Sequence, residues 1–400
     1  MSYSLDSIFN NASWAISNHS LALSKLQEQA STGQEINRPS DDSQQAYQIL
    51  GLRDDVRSIE HYIDTMDIKL IPRLTTASIA CQNITGMLAD AKVAVTAASS
   101  TSDPAILAKE IDGLLEDILV QVNWSESRHN LFGGADSDTV PYVATRDSSG
   151  KITMVTYQGS TDDRKVEVAP GVEFSAVLIG DNLFKSDDRQ SPVFMSADDS
   201  GNTRTGLTVG SGTQTVRGDI TLTVTDLGGG TFRLSIDGGT STVDVTAASG
   251  DVALTHADTG EVLYVDTSGI TSGGTEYIRV PGTYDIFNVL INARDMLNNE
   301  DTMPSSEWNS MLNATLGSMT TVQTNISKTF PTIGGKIGTL TTLSDSLKEI
   351  KFNAESEISQ LQDADIAQVA VELAQHGILY EMSLSVAAKL FSMSLVDFLE

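Results

Sequence analysis

Cysteine is almost missing from this chain: Cys81 is the single one in 400 residues. That excludes an intramolecular disulfide framework and any multi-cysteine zinc cage. Aromatic residues make up only 6%, so the core must be largely aliphatic. Basic side chains are outnumbered, 25 Lys and Arg against 53 Asp and Glu, for a formal charge of −28. Such a chain repels phosphate backbones and anionic bilayers, so neither nucleic acid nor a membrane surface is an expected partner. No apolar run approaches the roughly 18 residues that span a bilayer. No basic side chain precedes Lys25, and Met1 to Leu23 is interleaved with Asn, Ser and Asp, unlike a secretory signal. The expectation is a cytosolic protein, or one exported with an uncleaved N-terminal signal.

What is present is globular: 40% hydrophobic and 20% charged residues, in a length that fits roughly two to three domains. Composition divides the chain into three zones. As far as about Gly133 it is rich in Ala, Leu, Ile and Gln at helical spacing. From about Ala135 to Gly282 Gly, Thr, Ser, Asp and Val dominate, and from about Tyr284 the helical composition returns. No lysine occurs between Lys185 and Lys328. The expected fold is α+β and multidomain: both terminal arms form a long antiparallel coiled coil or bundle, with an all-β domain inserted between them. The expected parts are the N-terminal helix of a terminal coiled coil (1–40), the first part of a helical bundle (41–135) and an outer β-rich domain (136–284). The rest of the bundle (285–358) and a C-terminal coiled-coil helix (359–400) follow.

The helical signal is periodic. From Ile49 through Val56, Ile63, Leu70, Ala77, Ile84 and Ala91 to Ala98, with Leu52, Ile59, Met66, Arg73, Ala80, Met87 and Ala94 interleaved, spacings of three and four alternate, and only Arg73 is polar. That seam of about seven heptads favours a coiled-coil-like rod over an ordinary bundle helix. Pro72 is expected to kink or interrupt it. A shorter seam opens the chain at Phe9, Ala12, Ile16, His19, Leu23, Leu26 and Ala30, with Gly33 as its stop. After Pro39, Ser40 is read as the N-cap of the next helix, with Asp41 and Asp42 in its first turn. Asp103-Pro104 repeats that logic before Leu107, Ile111, Leu114 and Ile118. Near the end, Ala370, Leu373, Gly377, Tyr380, Leu384, Ala387 and Phe391 form one seam; Ile366, Val369, Leu373, Tyr380, Ala387 and Leu390 form an overlapping one. Together they make an apolar stripe wider than one partner helix needs. In the middle zone, Ile220, Leu222 and Val224 alternate towards Gly228-Gly229-Gly230, and Phe232, Leu234 and Ile236 alternate back, the pattern of a hairpin. Residues 151–157, 165–168, 174–179, 261–266 and 276–280 are further strand candidates.

No catalytic, cofactor or metal constellation emerges, and no enzyme is expected. Gly334-Gly335-Lys336 resembles a phosphate loop, but Phe330 and Ile337 stand where Gly and Ser or Thr are required. Gly210-Ser211-Gly212 lacks a third glycine, since residue 215 is Thr. His19, His61, His129, His256 and His376 are far apart in sequence, and His19 and His376 are assigned to apolar interfaces rather than to ligand sets. Asp198-Asp199-Ser200-Gly201-Asn202 misses the ligand pattern of a calcium loop and is read as a solvated turn. Cys81 is read as a small core residue.

The segment from Leu26 to Asp42, with Ser31-Thr32-Gly33 and Ile36-Asn37-Arg38-Pro39-Ser40-Asp41-Asp42, resembles the flagellin superfamily. Leu131-Phe132-Gly133-Gly134 before Pro141-Tyr142 resembles the exit from that family's third helix. Val155 to Gly159, Pro170-Gly171 and Gly180 to Phe184 resemble the start of its outer domain. The ending, with Asp363-Ala364-Asp365-Ile366-Ala367, the helix from Leu373 to Leu390 and Ser394-Leu395-Val396-Asp397-Phe398-Leu399, is similar to the hook-associated branch at the hook-filament junction. Ser43, His129-Asn130 and Ser160 depart from the usual pattern. Most of residues 190 to 280 carries no family pattern.

This resemblance implies an extracellular structural adaptor of the bacterial flagellum, exported through the flagellar type III channel without a cleaved signal. The implied partners are copies of itself in a ring or tube, a preceding hook-associated protein, flagellin, and a cytosolic export chaperone beforehand. Phe9, Ile16, Leu23, Leu26, Leu373, Tyr380, Leu384 and Phe391 are the expected assembly contacts. Asn37, Arg38, Pro39, Ser40, Asp41 and Asp42 form the family loop. The alternatives are a filament flagellin and, from another class, a secreted coiled-coil adhesin.

Overall fold

A computed structural model describes residues 2–100, 103–126, 128–175, 177–196, 203–298 and 305–399. In chain order the elements are α1 (Ser2–Thr32), α2 (Ser43–Asp64), a π turn (Thr65–Leu70), α3 (Ile71–Ala97) and α4 (Pro104–Val122). Next come β1 (Ser125–Glu126), β2 (His129–Asn130), β3 (Tyr142–Arg146), β4 (Ile152–Tyr157), β5 (Lys165–Ala169), β6 (Val172–Ser175) and α5 (Gly180–Phe184). The insert continues with β7 (Val193–Phe194), β8 (Thr208–Val209), β9 (Gly218–Gly228), β10 (Thr231–Ser235), β11 (Val243–Val245), β12 (Asp251–Thr255), β13 (Val262–Asp266) and β14 (Gly274–Val280). The chain closes with α6 (Ile286–Asn298), α7 (Ser305–Ser327), α8 (Phe330–Gln362) and α9 (Ile366–Leu399). Two compact units result: residues 1–66 with 342–400, and residues 67–341.

In the larger unit, α3 and α4 pack with α6 and α7. Ile84, Leu88, Ile111, Leu115, Ile118 and Leu290 are fully buried there, beside Phe132 and Phe184 in edge-to-face contact with ring centroids 5.1 Å apart. The long seam runs as expected, each of its positions from Ile49 to Ala98 being buried or half-buried. A second line, Leu74, Cys81, Leu88 and Val95, is buried as well, so α3 meets neighbours on more than one side and is a bundle helix rather than one strand of a rod. Pro72 sits in the first turn of α3, which follows the π turn without a break. The interruption takes the form of the π turn just before it. Arg73, the polar seam position, donates to the carbonyl of Asn130 at 2.7 Å. Cys81 is buried, and burial pushes its thiol up to about 12, an unreactive core position.

The β insert forms a five-stranded sheet, order β11-β10-β9-β14-β7, and a three-stranded sheet, order β12-β13-β8, all antiparallel; β1–β2, β3–β4 and β5–β6 are separate hairpins. The expected hairpin is β9–β10. Leu222, Val224, Phe232, Leu234 and Ile236 are buried, and Gly228, Gly229 and Gly230 turn the chain at φ of 83°, 67° and 80°, a region other residues avoid. The strand expected over 174–179 ends earlier, at Ser175; Gly180 then opens α5, its N–H bonded to the carbonyl of Phe132 at 2.9 Å. Gly212 packs against Tyr264, and a Cβ there would enter its ring. Gly334 and Gly335 lie within α8. The segment Asp198 to Asn202 lies outside the described residues.

Two helix starts correct the sequence reading. Asp42, not Ser40, caps α2, accepting from the N–H groups of Gln44 and Gln45 at 2.9 and 3.0 Å. The backbone of Asn37 and Arg38 claims Asp41, so the helix begins later. Asp103 stands at the start of α4, but its side chain makes no cap hydrogen bond.

Asp285 caps α6, accepting from Phe287 and Asn288 N–H at 2.8 Å each. Desolvation nevertheless pushes its carboxyl up to about 6, from an ordinary 3.8. A carboxyl raised on folding stabilises most below its unfolded value, and that contribution is lost as pH rises through the folded one. Asp285→Asn keeps a capping oxygen and removes the titration. The variant is expected to be more stable than the parent above pH 7, by about 3 kcal/mol, with the gain vanishing near pH 4. Thermal unfolding of both proteins across that range measures it; a pH-independent difference contradicts the assignment.

Candidate assembly face on the paired terminal helices

The smaller unit is built around a corner. α1 stops at Gly33, whose φ of 73° is the left-handed cap conformation. Beyond it Gln34 forms a β-bridge with Asp363, just after α8. Glu35 N–H donates to the Gln362 carbonyl at 2.7 Å, and Ala364 N–H to that of Gly33 at 2.9 Å. Gln362, itself buried, is the hub: its amide donates to Gln34 Oε1 (2.8 Å) and to the Ile36 carbonyl (3.3 Å), and its Oε1 accepts from Arg53 at 2.7 Å. Ile36 closes the corner from below, clustered with Ala46, Ile49, Ile358 and Leu361.

The family loop is the outer wall of that corner. Asn37 N–H and Arg38 N–H donate to Asp41 Oδ2 at 3.2 and 2.9 Å, and the Asn37 amide donates to the Gln34 carbonyl at 3.0 Å. The hydrogen bond from Arg38 N–H, helped by that of Asn37 and by Lys25 at 3.8 Å, holds the Asp41 carboxyl below the usual carboxylate range. The Arg38 guanidinium reaches back to Glu28 on α1 at 3.1 Å. Pro39 and Ser40 form the exposed tip. These contacts fix the angle between α1 and α2.

From the corner α1 and α9 run antiparallel, side by side. On α1 Ile16, His19 and Leu23 are half-buried and Leu26 is buried. On α9 Val369 is buried, while Leu373, His376, Gly377, Tyr380, Ala387 and Leu390 are half-buried. Leu384 and Phe391 point elsewhere, 44% and 64% exposed. The side chain of Phe9 lies outside the described residues, as do those of the terminal Ser394 to Leu399. Ala30 and Ala370, expected on the seams, are exposed. Seven of the eight expected contacts have described side chains, and these divide: Ile16, Leu23, Leu26, Leu373 and Tyr380 line the pairing side, and Leu384 and Phe391 the outside.

Sequence reasoning missed the extent of that outside. Val371, Ile378, Met382 and Val386, spaced seven and four apart, are all more than half exposed, as are Trp14 and Leu21 on α1. The available signal was the double seam: a helix apolar nearly all round has more to cover than one neighbour can reach. Soluble chains seldom leave such a continuous apolar face in water.

The chemistry elsewhere is spare. Among the described residues no group of three His, Cys, Asp or Glu side chains could hold a metal ion, and no helix is long and apolar enough to cross a membrane. Ser137 and Asp138 meet His129, but both bond the same nitrogen, Nδ1, at 3.1 Å. A serine nucleophile needs the carboxylate and the hydroxyl on opposite ring nitrogens.

The site is thus a helix-pairing surface at the ends of a chain with an antiparallel β insert. A family model described as the bacterial flagellin N-terminal helical region matches residues 6–135. Among solved structures the chain is similar to FlgL of Xanthomonas campestris, at 19% identity and a TM-score of 0.49, over 76% of this chain and 97% of that one. It is also similar to the flagellar junction protein FlgL from Legionella pneumophila, at 19% identity and a TM-score of 0.48, over 79% and 99%. No curated protein matches the chain in sequence.

Proposed function

We propose that this protein is a structural adaptor at the junction between the bacterial flagellar hook and its filament, with no catalytic activity. The observation that carries the reading is the apolar outer face of α1 and α9, on a chain whose first arm is flagellin-like. Copies of the protein cover one another along that face; a preceding hook-associated protein and flagellin cover it at the two edges of the ring. The Asp363 to Ala367 and Ser394 to Leu399 motifs favour the junction role over a filament flagellin, whose ending differs. Before assembly a cytosolic chaperone shields the same face, and the chain leaves by the flagellar export channel. Each apolar contact returns about 25 cal/mol per Å² against the entropy of ordering two long helices. Assembly is therefore cooperative: single contacts do not suffice, and many formed together do.

A deletion strain tests this directly. It is expected to carry hooks without filaments and to shed flagellin into the medium, with both defects repaired by the intact gene. Normal filaments in the deletion strain overturn the proposal, and labelling along the whole filament assigns the chain to the flagellins instead.

A further inference from the structure

We propose that His19 and His376 form a two-imidazole clamp for a divalent transition metal ion, zinc being the reference case, that ties α1 to α9. The two Nδ1 atoms face each other at 3.2 Å across the helix pair, with ring centroids 5.3 Å apart and planes inclined at 56°. Zinc–imidazole bonds are about 2.0–2.1 Å long, so two of them at a tetrahedral angle set their nitrogens about 3.4 Å apart. The separation of the two nitrogens is therefore within a few tenths of an ångström of that in a ligating pair before any ion enters. Both rings are half-buried on the pairing side, which limits competing water and restricts their rotation.

Apolar and aromatic side chains flank both rings. Ile16 and Leu23 lie one turn either side of His19, and Leu373 and Tyr380 on either side of His376. The nearest charge on α9 is Glu372, one turn before His376 on the same helix face, its carboxylate steadied by the Gln368 amide at 2.8 Å. No lysine or arginine lies within a turn of either histidine. The direct contact requires one Nδ1 to carry a hydrogen. Metal binding moves that hydrogen to Nε2 of the same ring, so both Nδ1 lone pairs reach the ion and no net proton is released. Water fills the remaining positions. Because the ligands come from different helices, the site exists only while α1 and α9 are paired, and occupancy favours the paired state by mass action. This inference rests on the helix pair alone and stands apart from the flagellar reading.

Zinc titration of the full chain by calorimetry at neutral pH is the test, with His19→Gln, His376→Gln and the exposed-site control His61→Gln. Saturable uptake of one ion per chain is expected, weakened at least tenfold by either of the first two substitutions and unchanged by the third. Copper(II) bound to the unsubstituted protein should show two equivalent imidazole nitrogens by electron paramagnetic resonance, a readout that needs no variant to fold. Absence of saturable uptake, full uptake by the His19→Gln/His376→Gln double variant, or a copper signal from fewer than two imidazoles overturns the proposal.

Discussion

Replacing Leu384 and Phe391 together by Asp is expected to abolish incorporation into flagella while leaving the isolated chain folded. Both side chains already meet water, at 44% and 64% exposure, so the substitutions remove little packing from the monomer. The assembled state is different. Covering a Leu or Phe side chain stabilises by about 1.5–3 kcal/mol each, and a carboxylate forced into the same place must be desolvated without a partner. Two further negative charges per copy also add to a chain already at −28, repeated on every neighbouring copy in the proposed assembly. The loss recurs at each subunit contact, so the outcome is all or none rather than graded. Wild-type circular dichroism together with absence from purified hook-filament complexes is the expected pair of results; normal copy number in those complexes refutes the role given to this face. Leu26→Asp should behave differently, because Leu26 is buried at the pairing side: helicity itself should fall.

How much of this was readable follows from the range over which each signal acts. Spacings of three and four placed the helical seams, and alternation around Gly228 to Gly230 placed the β9–β10 hairpin, because each pattern is complete within about twenty residues. Strands β3, β11 and β12 escaped because they are three to five residues long, in a Thr- and Gly-rich zone where alternation barely differs from background. The corner was invisible for another reason. Gln362 is one polar residue among many, and its role comes from a bridge between Gln34 and Asp363, partners separated by most of the chain. His19 and His376 are 357 residues apart in sequence, yet the antiparallel return of the chain sets them face to face. The loop motif is legible as a pattern, but the helix start after it is not, since whether Asp41 caps forward or backward depends on which N–H groups the turn presents.

Arg294 shows the same limit at a charged site, and its replacement by Ala is the second large effect expected. On α6 it is 3% exposed. Its guanidinium donates to Asp112 on α4 at 2.9 Å, to the carbonyl of Ile152 on β4 at 2.7 Å and to Asp295 at 2.8 Å. Burial works against its charge, and the hydrogen bonds to Asp295 and Asp112 more than offset that, holding the guanidinium above its ordinary range. One side chain thereby ties the β3–β4 hairpin to two helices of the bundle. Arg294→Ala would remove the guanidinium donor from the Ile152 carbonyl and the direct cationic partner of Asp112, which is 31% exposed, at a cost of about 1.5–3 kcal/mol. Arg294→Met, which keeps most of the volume, should recover the packing but not the polar contacts. Arg294→Lys should fall between parent and Ala, because an ammonium cannot reproduce the planar fork that serves three acceptors. Denaturant unfolding ranks the three variants, and faster amide exchange over Tyr142 to Tyr157 should accompany the loss. A cost below about 1 kcal/mol for Arg294→Ala would mean that the hairpin is held by Phe132, Tyr142 and Phe184 packing alone.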